Sequence, residues 1–336
     1  MNRKSEVVSG QLSVVSGQWS VKFRLPIHDS RFTILVLGAS GMLGNDLVKT
    51  LGLRHEVVGK DFNDFDITNK GITREEILDI NPQIVVNSAG FTNVDGCETE
   101  VEKAFLINAD GTKNVALACE EGKIKLVHIG TDYVFDGNKR EPYLEDDIPN
   151  PLNIYGKSKL KGEQYIKETM EDFLIVRTEW LYGKKGNNFV STIMKLAEIE
   201  KELKVVDDQI GSPTYTKDLA HAIERLIDCS LQANSLHNLK GVYHVTNRGT
   251  CSWYQFALKM LELARIEDVK VNPISSSHLD GYNRPAERPA YSALNCSKFE
   301  KETGLTLRPW EDALAEYFES FERVSLRANI VKNRKS

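Results

Sequence analysis

A tyrosine and a lysine stand four residues apart in NIYGKSKLKGE, Asn153 to Glu163. On a helix that spacing sets Tyr155 and Lys159 on one face, a turn apart. A phenol titrating at about 10 is a sluggish acid at neutral pH, and an ammonium on the next turn stabilises the phenolate and makes its proton easier to give. The pair has the makings of a proton donor to a carbonyl that becomes an alcohol, and the same ammonium is able to hold a ribose. The competing reading is a Tyr and a Lys that share a solvated helix face by chance. The elements around the pair decide between the two.

From Arg31 onward, β-branched runs alternate with amphipathic stretches. FTILVLG (Phe32 to Gly38), HEVVGKD (His55 to Asp61), PQIVVNSAG (Pro82 to Gly90), IKLVHIGTDYVF (Ile124 to Phe135) and FLIVRTEW (Phe173 to Trp180) have the character of strands covered on both faces. MLGNDLVKTLGL, ITREEILDI, VEKAFLINADGTKNVALACEEG and YGKSKLKGEQYIKETM place apolar residues at three-to-four spacing. That rhythm predicts right-handed crossovers and an α/β fold, a doubly wound parallel sheet of Rossmann type over residues 31–185.

Ligands of such sheets bind beyond the carboxyl ends of the strands. The first strand ends in GASGMLG, where Gly38, Gly41 and Gly44, with Met42 and Leu43 between them, let backbone N–H groups approach a pyrophosphate at a helix N-terminus. Asp61 ends the second strand 20 residues after Gly41 and is positioned to accept hydrogen bonds from an adenosine ribose. Lys60 beside it would instead meet a 2′-phosphate, so NADH and NADPH both stay open. Asp66 and Ile67 flank an adenine on one reading; on the other, Asp66 is a turn or N-cap residue in DITN.

The GxxGxxG spacing, followed downstream by Tyr-x-x-x-Lys, resembles the extended short-chain dehydrogenase/reductase superfamily. The resemblance implies that Gly90, Phe91 and Thr92 of NSAGFT lie along the cofactor's phosphates and ribose. It also implies that Thr131 of GTDYVFDG is the catalytic hydroxyl that binds the substrate oxygen beside Tyr155 and Lys159. Dehydratases of the superfamily resemble TDEVYG here and need the Asp-Glu pair to eliminate water; Tyr133 occupies the glutamate's place, which argues against elimination. Asp132 is left as a substrate-positioning residue or as a turn-forming Asp.

The segments GTDYVFDG, PLNIYGKSKLKGE, RTEWLYG, GNNF, DQIGSPT and RPAYSALNCSKFE resemble, in this order, the dTDP-4-dehydrorhamnose reductase family, which carries an RTSWVY-type segment where this chain has RTEWLY. The family reduces the C4 ketone of a nucleotide 6-deoxy sugar with NAD(P)H. The resemblance implies that Trp180 flanks the sugar, with core packing as the alternative, and that Arg288 meets the diphosphate, with a plain surface position as the alternative. Some members dimerise around magnesium held by glutamates, one soon after the glycine turn; Asn45 and Asp46 stand there instead, which speaks against that bridge and leaves a homodimer of another kind open. The regulatory β subunit of methionine adenosyltransferase also resembles the DYVFDG and PLNIYGKSKL segments, so a non-catalytic binding role is the second reading; Trp180 with GNNF leans toward the enzyme. The nucleotide base and sugar configuration stay open.

Composition narrows the field further. A formal charge of −5 supplies no basic field for nucleic acid, and no apolar run is long enough to cross a membrane. Five widely spaced cysteines without a CxxC fit buried thiols in a reducing cytoplasm. His128, His221 and His244 lack metal-ligand spacing and read as packing or surface residues. VVSGQLS followed by VVSGQWS reads as part of a disordered leader over residues 1–30, or as the mark of a start site assigned too far upstream. The rest forms a smaller α+β substrate lobe from residues 186–202 and 246–325, while segments near 203–245 return to the first domain. KELKVVDDQ and GVYHVTN read as strands of the main sheet, TYTKDLAHAIERLIDCS as a helix, and SWYQFALKMLELARI as a helix capped by Ser252. PWEDALAEYFESF is a last helix with Pro309 near its start.

Overall fold

The computed structural model describes residues 31–231, 239–278 and 284–320; the repeat expected as a leader lies outside them. β1 (Thr33–Leu37) runs through the glycine turn into α1 (Met42–Leu51), and β2 (Glu56–Lys60), α2 (Lys70–Ile80) and β3 (Ile84–Asn87) follow. Next come α3 (Val94–Thr99), α4 (Val101–Phe105), a π-turn at Leu106–Gly111 and α5 (Thr112–Gly122). β4 (Lys125–Thr131) enters a 3-10 turn at Asp132–Val134, and α6 (Ile154–Thr169) leads to β5 (Phe173–Thr178). After β6 (Leu181–Tyr182) the chain forms α7 (Phe189–Ile199), β7 (Glu202–Val206), β8 (Ile210–Gly211), β9 (Thr214–Tyr215), α8 (Thr216–Ser230) and β10 (Gly241–His244). β11 (Cys251–Ser252), α9 (Trp253–Leu263), β12 (Lys270–Ile274), α10 (Ser297–Thr303) and α11 over 310–320 complete it.

The central sheet runs β2-β1-β3-β4-β5-β10 with every pair parallel. Its inner strands β1, β3, β4 and β5 are rich in Ile, Leu and Val because both faces are covered. Ile34, Val36, Val86, Val127 and Val176 meet α1 and α8 on one side, through Leu47, Leu219 and Ile223. Leu35, Val85, Leu126 and Ile175 meet α2, α5 and α6 on the other, through Ile77, Val115 and Ile166. Since β2 and β3 leave β1 in opposite directions, the crevice over its carboxyl end is the switch point where such sheets take ligands.

Three parts of the expected pattern differ. β7 pairs with β12 and not with the central sheet; its alternation of exposed and buried residues marks a strand covered on one face, unlike the fully buried β3 and β4. The 101–122 run, expected as one helix, contains the π-turn, which swings Asn108 inward to 1% exposure. The fourth strand stops at Thr131, where the 3-10 turn begins, and does not continue to Phe135. The substrate side has its own core of Val190, Leu203, Phe256, Met260, Trp310 and Leu314. There Ser252 and Gln255 cap α9 reciprocally, so the predicted cap is present.

α6 is fixed by a buried ion pair. Glu163 accepts from Arg177 Nε at 3.0 Å and from Nη2 at 2.7 Å, with both side chains 1% exposed or less. Gly130 makes room for it, since a Cβ there would stand 2.8 Å from both Glu163 Oε1 and Arg177 Cγ. Two glycines shape the first turn in different ways. Gly38 has φ +74°, and a Cβ on it would lie 2.9 Å from Ala89 N; a Cβ on Gly44 would lie 2.0 Å from Gly38 O. Gly44→Ala should therefore push α1 off β1 and cost about 3 kcal/mol. Urea unfolding checks this, and a change below about 0.5 kcal/mol would contradict the close approach.

Candidate active site

Tyr155 sits in the first turn of α6, whose N-cap Asn153 accepts from Gly156 N at 2.8 Å and donates to Glu287 O at 2.7 Å. One cap thus orders the helix start and ties it to the 284–290 segment. The Tyr155 ring meets Tyr133 edge to face at 5.5 Å. Thr131, at the end of β4, accepts from Tyr133 N at 3.2 Å, donates to Asp132 Oδ1 at 3.1 Å and faces the Tyr155 phenol. Burial raises the Tyr155 phenol well above its ordinary value, and the Thr131 hydroxyl opposes that rise. The phenol accordingly keeps its proton at neutral pH.

Lys159 lies one turn on, 5% exposed, and donates to Ile129 O at 2.6 Å. Burial lowers its ammonium to about 8, with Glu163 opposing. Its other neighbour is His128 Nε2 at 3.3 Å. Asn87 Oδ1 accepts from Ala89 N at 3.2 Å, which turns the Asn87 amide so that Nδ2 faces His128 Nδ1 at 3.3 Å. Because that amide nitrogen only donates, Nδ1 is the acceptor and the neutral ring carries its proton on Nε2, toward Lys159. His128 is fully buried, and burial with the Lys159 charge holds it well below its usual range. The sequence suggested packing for His128; the structure puts it beneath the lysine.

A cavity of about 300 Å³ opens over β1, lined by Gly38, Gly41, Asp61, Asp66, Ile67, Gly90 and Phe91, and also by Ser40, Phe65 and Ile107. Thr92 follows Phe91 as an exposed residue outside that lining, and Met42, Leu43 and Gly44 begin α1 beside it. The Leu43 side chain belongs to the core, while Met42 touches Asn188 of GNNF, the N-cap of α7. The glycine cradle admits a backbone-bound pyrophosphate, so these residues fit a dinucleotide. Asp61 accepts from Ser40 N at 2.6 Å and Phe62 N at 3.1 Å; burial works against its charge, but these bonds and those of the Ser40 side chain hold it below its ordinary value. Lys60 lines the same cavity with its ammonium 3.3 Å from Glu76. Asp66 accepts from Thr68 N at 2.9 Å, so it is a turn residue as well as a cavity wall, and the helix cap there is Asn69.

Asn108 ties this half together. Its Oδ1 accepts from Phe91 N at 2.8 Å, and its Nδ2 donates to Phe91 O and Ser158 Oγ, each at 3.0 Å. The loop after β3 is thereby clamped to the Tyr155 helix.

Two more cavities, of about 620 and 560 Å³, share Gln209, Arg284 and Arg288. Arg288 forks onto Asp95, with Nη2–Oδ2 at 2.7 Å and Nη1–Oδ1 at 3.2 Å, and also contacts Tyr133. Arg284, which the sequence reading did not single out, is exposed at the rim. Trp180 has φ +47°, a conformation that few bulky residues adopt, and stacks on Trp253 with centroids 3.5 Å apart. Trp253 lines the 560 Å³ cavity, and Trp180 supports it from behind. Asp46, where the metal-bridging acid was sought, accepts from Thr216 Oγ1 at 2.6 Å. Among the described residues, no three His, Cys, Asp or Glu side chains group as a metal site would require.

The model for the RmlD substrate binding domain matches residues 32–323. The chain is 44% identical over 287 residues to the spore coat polysaccharide biosynthesis protein SpsK of Bacillus subtilis, covering 85% of this chain and 96% of that one. It is 37% identical over 284 residues to dTDP-4-dehydrorhamnose reductase of Escherichia coli, covering 83% and 94%. The crystal structure of dTDP-4-dehydrorhamnose reductase from Bacillus anthracis in complex with NADP superimposes with a TM-score of 0.80 at 40% identity, over 87% of this chain and 100% of that one. UDP-glucose 4-epimerase of Thermus thermophilus in complex with NAD, at 20% identity and a TM-score of 0.69, shares the fold. With the family match spanning the glycine turn, the Tyr155 helix and the lobe beyond them, the chain belongs to the RmlD substrate-binding-domain family.

Proposed function

We propose that this protein uses NADPH or NADH to reduce the C4 ketone of dTDP-4-dehydro-β-L-rhamnose to dTDP-L-rhamnose, with Tyr155 as the proton donor. The observation that carries the mechanism is that a buried, protonated Tyr155 faces Thr131 at the end of β4, with the Lys159 ammonium a turn behind. Similarity to dTDP-4-dehydrorhamnose reductases over most of the chain supports the substrate.

When bound, the nicotinamide supplies the hydride. Gly38, Gly41, Met42, Leu43 and Gly44 hold its pyrophosphate, Asp61 its adenosine ribose, and Asp66 and Ile67 its adenine edge. Gly90, Phe91 and Thr92 run along the phosphates, and Lys159 holds the nicotinamide ribose beside Tyr155. On the substrate side, Thr131 and Asp132 receive the sugar ketone, Trp180 braces the Trp253 wall, and Arg288 presents positive charge to the diphosphate. The described parts of the lobe, residues 186–202, 246–278 and 284–320, close this side. As negative charge grows on the ketone oxygen, Thr131 donates a hydrogen bond to it and Tyr155 transfers its proton. The five free cysteines support a cytoplasmic setting, and no helix among the described residues is long and apolar enough to cross a membrane.

Tyr155→Phe should lower kcat by about 100-fold or more while NADPH binding, followed by fluorescence, moves only a few-fold. Retention of activity within a few-fold by a folded variant would refute the proton-donor role. A panel of nucleotide 4-keto-6-deoxy sugars tests the substrate: oxidation of NADPH or NADH should be fastest with the thymidine-linked L-sugar, and no oxidation with any of them would return the regulatory-subunit reading.

The Lys159 ammonium is charged below about pH 8 and loses its charge as pH rises through that value. The kcat/KM profile should therefore carry an alkaline limb near 8, and a profile flat to pH 10 would show that the charge is not used. Asp61→Ala removes a negative charge from the ribose edge, and the ratio of kcat/KM for NADPH to that for NADH should rise about tenfold. An unmoved ratio would take Asp61 away from the ribose.

A further inference from the structure

The mechanism above uses one proton per turnover and leaves a phenolate on Tyr155. Behind Thr131 lie two carboxyl groups that it does not use as acids. Asp132 and Glu179 are each 2% exposed. Thr131 Oγ1 bonds Asp132 Oδ1, and Asp132 Oδ2 is buried without a hydrogen-bond partner among the described residues. Ser292 Oγ donates to Glu179 Oε2 at 3.3 Å and also faces the Asp132 carboxyl. Glu179 Oε1 accepts from Leu294 N at 3.1 Å, and Ser212 lies beside the same carboxyl. Gly211 leaves the space, since a Cβ there would stand 2.6 Å from Glu179 Oε2. Two hydrogen-bonded pairs of exchangeable groups, Thr131–Asp132 and Ser292–Glu179, thus lie side by side next to Tyr155, with the unpartnered Asp132 Oδ2 left to take a proton.

We propose that Asp132 and Glu179 form a proton-holding carboxyl pair that resupplies Tyr155 through Thr131, with Ser292 bridging the two acids. The proposal rests on Tyr155 being the proton donor. Two buried carboxyls lying close together without a cation between them do not both ionise, so the pair keeps at least one proton at neutral pH. Burial, with smaller opposing hydrogen bonds, pushes Asp132 up to about 7 and, together with the Asp132 charge, holds Glu179 well above its ordinary range. The other titratable groups facing the pair are Tyr133 and Tyr155 on the Asp132 side and Cys251, Tyr291 and Cys296 on the Glu179 side; Arg288 stands beyond Tyr133, forked onto Asp95.

The protons balance. The Tyr155 O–H bond breaks as the product O–H bond forms. The Thr131 hydroxyl proton passes to the Tyr155 oxygen, and the Asp132 carboxyl proton passes to Thr131 Oγ1. The Glu179 proton passes to Asp132 through the Ser292 hydroxyl. The pair finishes one proton poorer and recovers it from water after the product leaves.

The test compares kcat against pH for the wild-type chain, Glu179→Gln and Ser292→Ala, with NADPH and the 4-keto sugar nucleotide saturating. Glu179→Gln keeps the acceptor for Leu294 N but cannot titrate. Ser292→Ala keeps both acids and removes only the bridge. Either change leaves Asp132 alone to supply the proton, so the supply ends at a lower pH than with the pair intact. The alkaline limb should move down by about one pH unit, so that the loss relative to wild type grows about fivefold between pH 6 and pH 8 while KM stays within about twofold. A loss of the same factor at every pH, or no loss, in both variants would overturn the proposal. Where the two variants differ, or where Glu179→Gln fails to fold, Ser292→Ala decides. Tyr155→Phe separates the two ideas: an active Tyr155→Phe sinks the proton-donor reading, whereas an inactive one beside wild-type-like limbs in the other two variants sinks the carboxyl pair alone.

Discussion

The Arg177–Glu163 pair is the fixed point on which the site depends. It joins β5 to α6 inside the protein, where charges are costly to bury unless each is matched by good geometry. The fork supplies that geometry, and the Arg177 guanidinium also lies 5.3 Å from the Phe135 ring centroid. Arg177 Nη1 has no partner among the described residues, so the pair is not an optimised source of stability. What it provides is registry: α6 cannot slide or rotate without breaking the fork, and Tyr155 and Lys159 keep their positions against the end of β4. Gly130 and Gly156 follow from the same demand, since a Cβ on Gly156 would stand 2.1 Å from Tyr133 O.

With α6 fixed, water exclusion does the electrostatic work. The same burial keeps the Tyr155 phenol protonated, brings the Lys159 ammonium down to about 8 and keeps His128 neutral beneath it. The simple sequence argument had Lys159 lowering the tyrosine. In the structure the ammonium is held on Ile129 O, and burial outweighs any such effect on the phenol. A lysine titrating near 8 is still charged at neutral pH, but with little to spare, so events that change its surroundings act on it strongly. Filling the crevice over β1 is such an event.

The sequence made the parts with local causes legible. Glycines at 38, 41 and 44 between a strand and a helix, an acid ending β2, and Tyr155 and Lys159 at i, i+4 are visible because backbone conformation and helical spacing act over a few residues. Asn108 and Glu179 were not singled out, and His128 was read as a packing or surface residue, because their partners are remote: Asn108 reaches Ser158 across 50 positions, His128 reaches Lys159 across 31, and Glu179 reaches Ser292 across 113. Arg288 was noticed for its charge, yet its fork onto Asp95 spans 193 positions and has no sequence signature. β7 was taken for a strand of the main sheet because an apolar run reports strand propensity and not the identity of its neighbour. The π-turn escaped for a related reason, since one extra residue in a helix barely disturbs a three-to-four pattern.

Trp180 shows how the two halves meet at one strained residue. Its left-handed backbone is uncommon for a bulky side chain and persists only where surroundings over-determine it. They do: Thr214 N donates to Trp180 O at 3.2 Å, Trp253 stacks on the ring, and Gly211 offers no Cβ to clash with it. The reversal sends the Trp180 ring toward the lobe and leaves Glu179, one residue earlier, pointing back at Asp132. A relaxed backbone at 180 would separate the lobe's aromatic wall from the buried carboxyl pair. The strain at this one residue is therefore what lets a single turn after β5 carry both the Trp180–Trp253 stack and the buried Glu179 carboxyl.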